Sequence, residues 1–466
     1  MTSSRKSILA VLVVVALGAS GCATVERFNP FKGKEAKEVA SEGERISIIS
    51  ADQKLEPAEA LKGVDFFLPN AAPIAEWPLP GGTVEQSVEN VDAAPNLSIA
   101  WRKGVGQGSK GAENVVAPPI AAAGKVFTMD GAAVVTAHDA QSGAEVWKTN
   151  IRPGDNKRDR EAGGGGLAFS GGKIYVTSGF RVVAELDAST GAVGWRTRTE
   201  QPIHGAPNVA GGRVYTVALD NTLLTFDAST GAPGWTYQAL SESARILGAS
   251  SPAISGDTVV ASFGSGELVA LRTANGNDLW NEALSRASRT SALSEIRDIP
   301  GRPVIYQGDV FAVSHSGVFA ATDLRTGQAR WSLPVVGITS PWAAGDVVYV
   351  VSKDGIVVCA ARESGQIYWT RDLNAGVKAK ASGGGFWSKM PKFGSKKAAK
   401  PIWSGPLMAN SRLIMVGSSG ELVALNAKTG EVQRRMGIGS PALLAPIAAG
   451  NTIYVLTDTA QLIALR

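Results

Sequence analysis

The sequence contains few side chains of the types that perform catalysis or bind metals. It has two cysteines, Cys22 and Cys359, and three histidines, His138, His204 and His315. Two cysteines are too few for a disulfide-rich scaffold, a four-cysteine zinc site or an iron–sulfur cluster. The histidines lie far apart without metal-ligand spacing, and the spacing of the other residues supports no Ser/His/Asp or paired-carboxylate arrangement. We therefore predict no catalytic residue and no metal site.

A run of four glycines at residues 163–166 invites comparison with a phosphate-binding loop. That loop requires Gly-Lys-Ser/Thr at a fixed offset, whereas Gly172 and Lys173 are followed here by Ile174. The glycine run is therefore interpreted as a flexible entry to a strand.

Cys22 follows a segment with the composition of a secretion signal. Two basic residues precede an apolar run at residues 8–17, which is too short to cross a bilayer of ~30 Å as a helix. Four small residues then lead into Cys22, so residues 1–21 resemble a bacterial lipoprotein signal peptide. The resemblance implies cleavage before Cys22 and a covalent lipid on its thiol, although Ala19 replaces the usual Leu. The alternative is a secreted protein in which Cys22 is incidental.

Cys359 lies in the apolar stretch at residues 356–360 and is expected to be a small buried hydrophobic residue. With a lipid on Cys22, Cys359 has no partner for an intramolecular disulfide.

The composition indicates a folded body preceded by a lead-in. The chain of 466 residues is 44% hydrophobic and 19% charged, which excludes disorder for most of it. A net charge of +5 is too weak to favour nucleic acid as the main partner. No later stretch approaches the ~20 apolar residues of a membrane span. Residues 22–95 mix charges with Pro and Gly, and we expect Phe66, Phe67 and Trp77 to pack against the body as a belt.

A turn glycine recurs along the body, and in most copies a tryptophan follows it four residues later. The glycines stand at positions 143, 191, 231, 276, 327, 365 and 430. The structural tryptophans are Trp101, upstream of the first repeat, and Trp147, Trp195, Trp235, Trp280, Trp331 and Trp369. A repeat of about forty residues is typical of propellers and solenoids.

Each repeat predicts a four-stranded antiparallel blade, because short alternating strands are separated by Gly-containing turns. One blade cannot bury both faces, so blades stack around an axis. Seven repeats are complete, and the eighth ends at Arg466 before reaching its Gly and Trp. The strand around Trp101 is expected to complete that blade and to remove the free edge. The sequence therefore predicts an all-β, eight-bladed propeller at residues 96–466, closed by its N-terminal strand, with the tryptophans between blades.

The repeat Asp-Ala-x-Thr-Gly-x-x-x-Trp, as in residues 187–195, resembles that of the pyrroloquinoline-quinone-like propellers. One branch of this superfamily is the quinoprotein alcohol dehydrogenases, and another is the BamB family of outer-membrane assembly lipoproteins. The dehydrogenases use a catalytic Asp, a Ca²⁺ ion and a vicinal disulfide. This sequence has no Cys-Cys pair, no long inter-blade insertions that would build the cofactor pocket, and no run of oxygen ligands. The chain therefore resembles the BamB family over residues 96–466.

This resemblance implies a non-enzymatic scaffold, lipid-anchored to the outer membrane and facing the periplasm. It implies no cofactor apart from the lipid on Cys22 and no nucleic-acid partner. The implied partners are BamA and the rest of the β-barrel assembly complex, and contact with unfolded outer-membrane proteins is left open. The alternative is a quinone- or sugar-binding propeller enzyme of the periplasm.

Two segments look like the BamB loops that bind the periplasmic domains of BamA. They are residues 245–252 and the next inter-blade segment, residues 294–300. The candidate contacts are Arg245, Ile246, Leu247 and Asp298. The match is imperfect, because Leu247 stands where the family has Arg and Pro300 replaces a second Asp. Both segments are expected to emerge on the same rim, with Asp298 as a charged contact there.

The basic insertion at residues 371–400 is the longest departure from the repeat. Between Lys378 and Lys400 it contains seven lysines, interleaved aromatic residues and no acidic residue. A solvated loop would explain this composition. So would contact with anionic lipid headgroups or with an acidic partner.

Overall fold

The repeated Asp-Ala-x-Thr-Gly segments form tight turns that reverse the chain between two strands. The computed structural model describes residues 55–109, 115–153, 163–240, 250–284, 298–376 and 400–466. In the turn that begins at Asp187, the carboxylate Oδ1 accepts the backbone N–H and hydroxyl groups of Ser189 and Thr190. Gly191 adopts a φ of 75° and donates its N–H to the carbonyl of Asp187 at 2.8 Å. Side-chain and backbone bonds of this kind fix the turn independently of distant contacts.

Within the described residues, 32 strands form eight four-stranded antiparallel sheets, which confirms the all-β, eight-bladed propeller. The part of the chain that the structure describes also contains one short 3₁₀ helix, Glu59–Leu61. No helix in it is long and apolar enough to cross a membrane.

The strands are numbered β1 to β32 in chain order, and each blade is given from its innermost strand outwards. Blade 1 comprises β2 (Ile120–Ala122), β3 (Lys125–Met129), β4 (Val134–Asp139) and β5 (Glu145–Asn150). Blade 2 comprises β6 (Gly165–Ser170), β7 (Lys173–Ser178), β8 (Val182–Asp187) and β9 (Val193–Arg198). Blade 3 comprises β10 (Asn208–Ala210), β11 (Arg213–Val217), β12 (Thr222–Asp227) and β13 (Pro233–Gln238). Blade 4 comprises β14 (Ala253–Ser255), β15 (Thr258–Ser262), β16 (Glu267–Arg272) and β17 (Asp278–Ala283).

The remaining blades follow the same order. Blade 5 comprises β18 (Val304–Tyr306), β19 (Asp309–Val313), β20 (Phe319–Asp323) and β21 (Ala329–Leu333). Blade 6 comprises β22 (Trp342–Ala344), β23 (Val347–Val351), β24 (Ile356–Ala361) and β25 (Ile367–Asp372). Blade 7 comprises β26 (Trp403–Ala409), β27 (Arg412–Gly417), β28 (Glu421–Asn426) and β29 (Val432–Gly437). Blade 8 comprises β30 (Ile447–Ala449), β31 (Thr452–Leu456), β32 (Gln461–Leu465) and β1 (Ile99–Gly104).

The eighth blade is completed by the N-terminal strand, as the sequence predicted. Strand β1 pairs antiparallel with β32, with Trp101 opposite Ala464 and Lys103 opposite Leu462. The edge that β32 would otherwise present is therefore paired.

The seven tryptophans of the repeat lie between blades, each against the turn glycine of the following blade. A Cβ added to Gly191 would lie 2.5 Å from Cε3 of Trp147, so only glycine allows this approach. The Trp147 indole N–H also donates to the carbonyl of Ala188 in the next blade, at 3.1 Å. Equivalent bonds are made by Trp195, Trp235, Trp280 and Trp331. The tryptophan and glycine together fix the spacing of neighbouring blades.

Part of the lead-in crosses the propeller axis and closes the central channel. We call residues 74–91 the N-terminal plug. Trp77 exchanges backbone hydrogen bonds of 2.6 and 2.9 Å with Ala121 of blade 1. The carbonyl of Val84 accepts from Ile254 of blade 4 at 2.8 Å, and Val91 donates to Met408 of blade 7 at 3.2 Å.

Further hydrogen bonds from the plug reach the remaining five blades. Blades 2, 3, 5, 6 and 8 are reached by Pro78, Val84, Glu85, Glu89 and Ile74 respectively. The part of the lead-in that we expected to form a belt is therefore a plug on the propeller axis. Phe66 and Trp77 are buried as expected, whereas Phe67 is 63% exposed.

Candidate partner-binding face

The connectivity gives the propeller two different faces. One face, called the inter-blade face, carries the connections from each outermost strand to the next blade together with the turns between second and third strands. For example, Lys353 of one such turn donates its N–H to Val336 of a connection at 2.8 Å. The opposite face, called the turn face, carries the Asp-Ala-x-Thr-Gly turns, as in the 3.0 Å bond from the N–H of Ala188 to the carbonyl of Gly172.

The predicted partner contacts belong, in sequence order, to two successive connections between blades. Arg245, Ile246 and Leu247 belong to the segment between β13 and β14 and lie outside the described residues, as does Cys22. Asp298 belongs to the segment between β17 and β18 and is described. Residues 377–399 of the basic insertion also lie outside the described residues.

Asp298 lies on the expected face but is buried, with 3% of its surface exposed. Its carbonyl accepts the N–H of His315 at 2.8 Å, and the next residue, Ile299, is 1% exposed. The structure thus shows where Asp298 lies, and its part in partner binding stays a prediction.

One turn of blade 4 anchors the connection that contains residues 294–300. This turn, residues 263–266, joins β15 to β16. The carbonyl of Gly266 accepts the N–H of Leu284 at 2.8 Å, and that of Phe263 accepts the N–H of Ile299 at 3.4 Å. These bonds fix both ends of the connection between β17 and β18.

Glu267, directly after this turn, fixes the start of the other connection. Its carboxylate accepts the N–H of Leu240 at 2.8 Å, the hydroxyl of Ser265 at 2.7 Å and the amide of Asn281 at 2.9 Å. Burial raises the pKa of Glu267, but the bonds from Asn281, Ser265 and Leu240 outweigh it, so the pKa lies below its usual value. Glu267 stays ionised, and charge-assisted bonds of this kind are the strong ones.

Leu240 is a candidate contact residue that the sequence interpretation did not single out. It follows β13, is 67% exposed, and borders an open cleft of about 710 Å³ together with Tyr237 and Glu267. Other exposed apolar side chains on connections of this face are Val116, Val336, Ile402 and Leu443. A leucine held by its own backbone and exposed to solvent is a suitable apolar contact for a partner. The sequence signal for Leu240 was its position five residues before the segment 245–252.

The described residues include no metal centre. No group of three or more His, Cys, Asp or Glu side chains in the described ranges could hold a metal ion. Cys359 is buried and free, as predicted, and burial raises the pKa of its thiol. His138 is buried within β4, where desolvation lowers its pKa. The glycine run leads into β6, which begins at Gly165, as expected for a strand entry.

Fold and site together define an eight-bladed propeller of the pyrroloquinoline-quinone-like class, with its most elaborate connections on one face. The sequence model of the family described as "Outer membrane protein assembly factor BamB" matches residues 131–371 and 375–466. The match covers well over half of the chain, which therefore belongs to the BamB family.

Individual relatives agree with this assignment. The outer membrane protein assembly factor BamB of Escherichia coli K12 is 27% identical over 362 residues, 77% of this chain and 86% of that protein. The relative from Salmonella typhimurium is 30% identical over 255 residues, 54% of this chain and 65% of that protein. That from Alkalilimnicola ehrlichii is 25% identical over 220 residues, 47% of this chain, and the alignment spans about half of that protein, 51%.

Solved structures show the same fold. BamB from Moraxella catarrhalis superposes with a TM-score of 0.62 at 19% identity, covering 78% of this chain and 99% of that chain. Quinohemoprotein alcohol dehydrogenase from Comamonas testosteroni also gives 0.62, at 16% identity, covering 83% of this chain and 77% of that chain. At these identities the likeness concerns the fold alone.

Proposed function

We propose that this chain is a non-enzymatic scaffold lipoprotein of outer-membrane β-barrel assembly, which binds the periplasmic domains of BamA on its inter-blade face. Membership of the BamB family supports the assembly role. The location is supported by one observation above all: residues 263–267 hold Leu240, before the first predicted segment, and Leu284 and Ile299 of the connection that contains the second. Two connections anchored at one turn can present one composite surface.

The mechanism is positional, and it rests on a rigid frame. In the sequence Ile246 and Leu247 directly follow Arg245, and Leu240 stands five residues before it. Apolar residues beside a charge have the composition of a small hot spot. Ordering loops on binding costs free energy, and each anchored loop end reduces that cost. Glu267 thus contributes to affinity without touching the partner.

Attachment to the membrane is proposed to run through a lipid on Cys22, with the propeller in the periplasm. Replacement by Cys22→Ser should leave the propeller folded and release it from membranes that lack BamA. Fractionation of such membranes measures this, and equal retention of the variant would refute a single lipid anchor.

The partner site is tested by the double variant Ile246→Asp and Leu247→Asp. We expect BamA binding to weaken by at least about 2 kcal/mol, since two carboxylates would replace buried apolar contacts. Titration calorimetry with the BamA periplasmic domains measures the affinity, and circular dichroism checks the fold. Unchanged affinity would place the site elsewhere, and residues 378–400 would be tested next.

A further inference from the structure

The propeller axis contains a cavity of about 400 Å³ that opens on the inter-blade face. Its floor is the N-terminal plug, through Pro80, Gly81 and Gln86. Residues that lead into or begin the innermost strands of all eight blades form its walls. The cavity is of the size that binds small molecules in other proteins.

Arg302 brings a positive charge to this cavity. Among the described residues that line it, Arg302 and His204 are the basic ones, and there is no Asp, Glu or Lys. The Nε atom of Arg302 is buried without a hydrogen-bond partner, and within the described part of the chain no carboxylate forms an ion pair with this side chain. Burial lowers the pKa of Arg302 to about 10, which still leaves the guanidinium protonated at neutral pH.

The backbone around Arg302 is held firmly. Its N–H donates to the Ser340 hydroxyl at 2.8 Å. A Cβ on Gly301 would lie 2.8 Å from the carbonyl of Thr339, so glycine lets the two connections touch. The Thr339 hydroxyl is also buried without a hydrogen-bond partner. The Arg302 side chain, on a firmly held backbone, and a buried hydroxyl without a partner therefore lie on adjoining wall segments.

Buried polar groups without partners are costly, and a buried charge is more costly still. The remaining wall is largely apolar, with Trp342, Leu444 and four prolines, Pro118, Pro300, Pro341 and Pro406. A ligand that satisfies both features has an oxyanion at one end and hydrocarbon at the other. Guanidinium binds carboxylate with two parallel hydrogen bonds.

We propose that the axial cavity binds a small organic carboxylate, with its carboxylate on Arg302 and Thr339 and its hydrocarbon part against Trp342 and Leu444. The cavity adjoins both proposed partner segments, at Ser251 and Pro300. Arg302 and Thr339 belong to neither segment, and the test below measures ligand binding in the absence of BamA.

The test adds benzoate to the full chain and measures its binding by saturation-transfer NMR. Benzyl alcohol, which lacks the carboxylate, is measured in the same way. Inorganic phosphate, which lacks the hydrocarbon and has no protons to observe, is measured by its displacement of benzoate. We expect saturable binding of benzoate, with both comparison ligands at least about tenfold weaker, as for loss of a hydrogen bond to a charged group. Equal binding of benzyl alcohol, preference for phosphate, or no saturable benzoate signal would each overturn the proposal.

Variants connect the binding to the cavity. Arg302→Gln should weaken benzoate binding about tenfold or more, and Thr339→Val, which keeps the volume, should weaken it several-fold. Arg325→Gln, an exposed arginine on the turn face, is the matched control and should bind like wild type. In anion-free buffer Arg302→Gln should melt no earlier than wild type, because it removes an unpaired charge. Unaltered benzoate binding in both cavity variants would place the ligand elsewhere.

Discussion

Trp101 lies opposite Ala464 in the sheet of the eighth blade, so the first strand of the propeller pairs with the last. Next to this pair, Ser98 and Arg466 exchange two backbone hydrogen bonds, each 2.8 Å long. The Trp101 indole packs on Gly143 of blade 1 and lies 6.0 Å, between ring centroids, from Tyr454 of its own blade. A few residues therefore close the ring, and their loss would expose a strand edge.

The first prediction concerns this closure. Trp101→Ala should lower the free energy of unfolding by about 3 kcal/mol, near the low end for tryptophan because the side chain is only partly buried. Deleting residues 97–103 should cost more, since it leaves β32 unpaired. Arg434→Ala is the control, because Arg434 takes the tryptophan position in blade 7 and is exposed. Melting curves of the Trp101 variant and the deletion that match wild type would contradict the closure.

The second prediction concerns the turn glycines. Gly191 and Gly172 have nearly the same backbone conformation, with φ values of 75° and 78°. A Cβ on Gly191 meets the Trp147 ring, whereas one on Gly172 meets nothing within 4 Å. Gly172→Ala therefore measures the cost of the conformation alone, about 1 kcal/mol. Gly191→Ala should cost at least about 1 kcal/mol more, because the blade interface must move. Urea titration compares them, and equal losses would show that the blades do not depend on this contact.

The sequence predicted the propeller but not what fills its axis. The blades follow from a repeat in which Asp187 and Gly191 encode a turn locally, and Trp147 marks its interface with the next blade. The plug has no such periodicity, since Trp77 and Val84 meet different blades through backbone groups that any residue carries. The burial of Asp298 was missed for a related reason, because a single carboxylate in a connection gives no sign of the packing around it.

The third prediction concerns the plug. Trp77 is 1% exposed, stacks on Trp342 at 6.3 Å between ring centroids and donates its indole N–H to Pro80 at 3.2 Å. Trp77→Ala should lower the free energy of unfolding by about 3–5 kcal/mol. Phe67→Ala, in the same lead-in but 63% exposed, should change it by less than about 0.5 kcal/mol. Chemical denaturation gives both values. Equal free energies of unfolding for the two variants would show that the plug does not stabilise the propeller.

The fourth prediction concerns acid. Hydrogen bonds from the hydroxyls of Ser229 and Thr230 and from the Thr230 N–H lower the pKa of Asp227 to about 2. A carboxyl whose pKa is lower in the folded state stabilises the fold above its unfolded pKa and loses that effect as the pH falls through the folded pKa. The stability of wild type should therefore fall between about pH 4 and pH 2. Asp227→Asn should be less stable at neutral pH and should flatten this part of the profile. Asp257→Asn, an exposed aspartate on the same face, should not. Denaturation midpoints across this pH range measure the stability of each variant. Parallel profiles for the two variants would show that Asp227 does not cause the loss of stability in acid.

The last prediction concerns where BamA would dock on the inter-blade face. Leu240 and Leu443 are both exposed leucines on this face, by 67% and 43%, but they lie on the connections into blade 4 and blade 8. If the partner covers the two connections that residues 263–267 anchor, Leu240→Asp should weaken binding by about 1–2 kcal/mol, because a carboxylate would be desolvated at the interface. Leu443→Asp should leave the affinity within about 0.5 kcal/mol of wild type, because it introduces the same charge on the opposite side of the axis. Titration calorimetry with the BamA periplasmic domains measures both. A loss for Leu443→Asp alone would move the docking site to blades 7 and 8, and equal losses would mean that the partner covers the whole ring of connections.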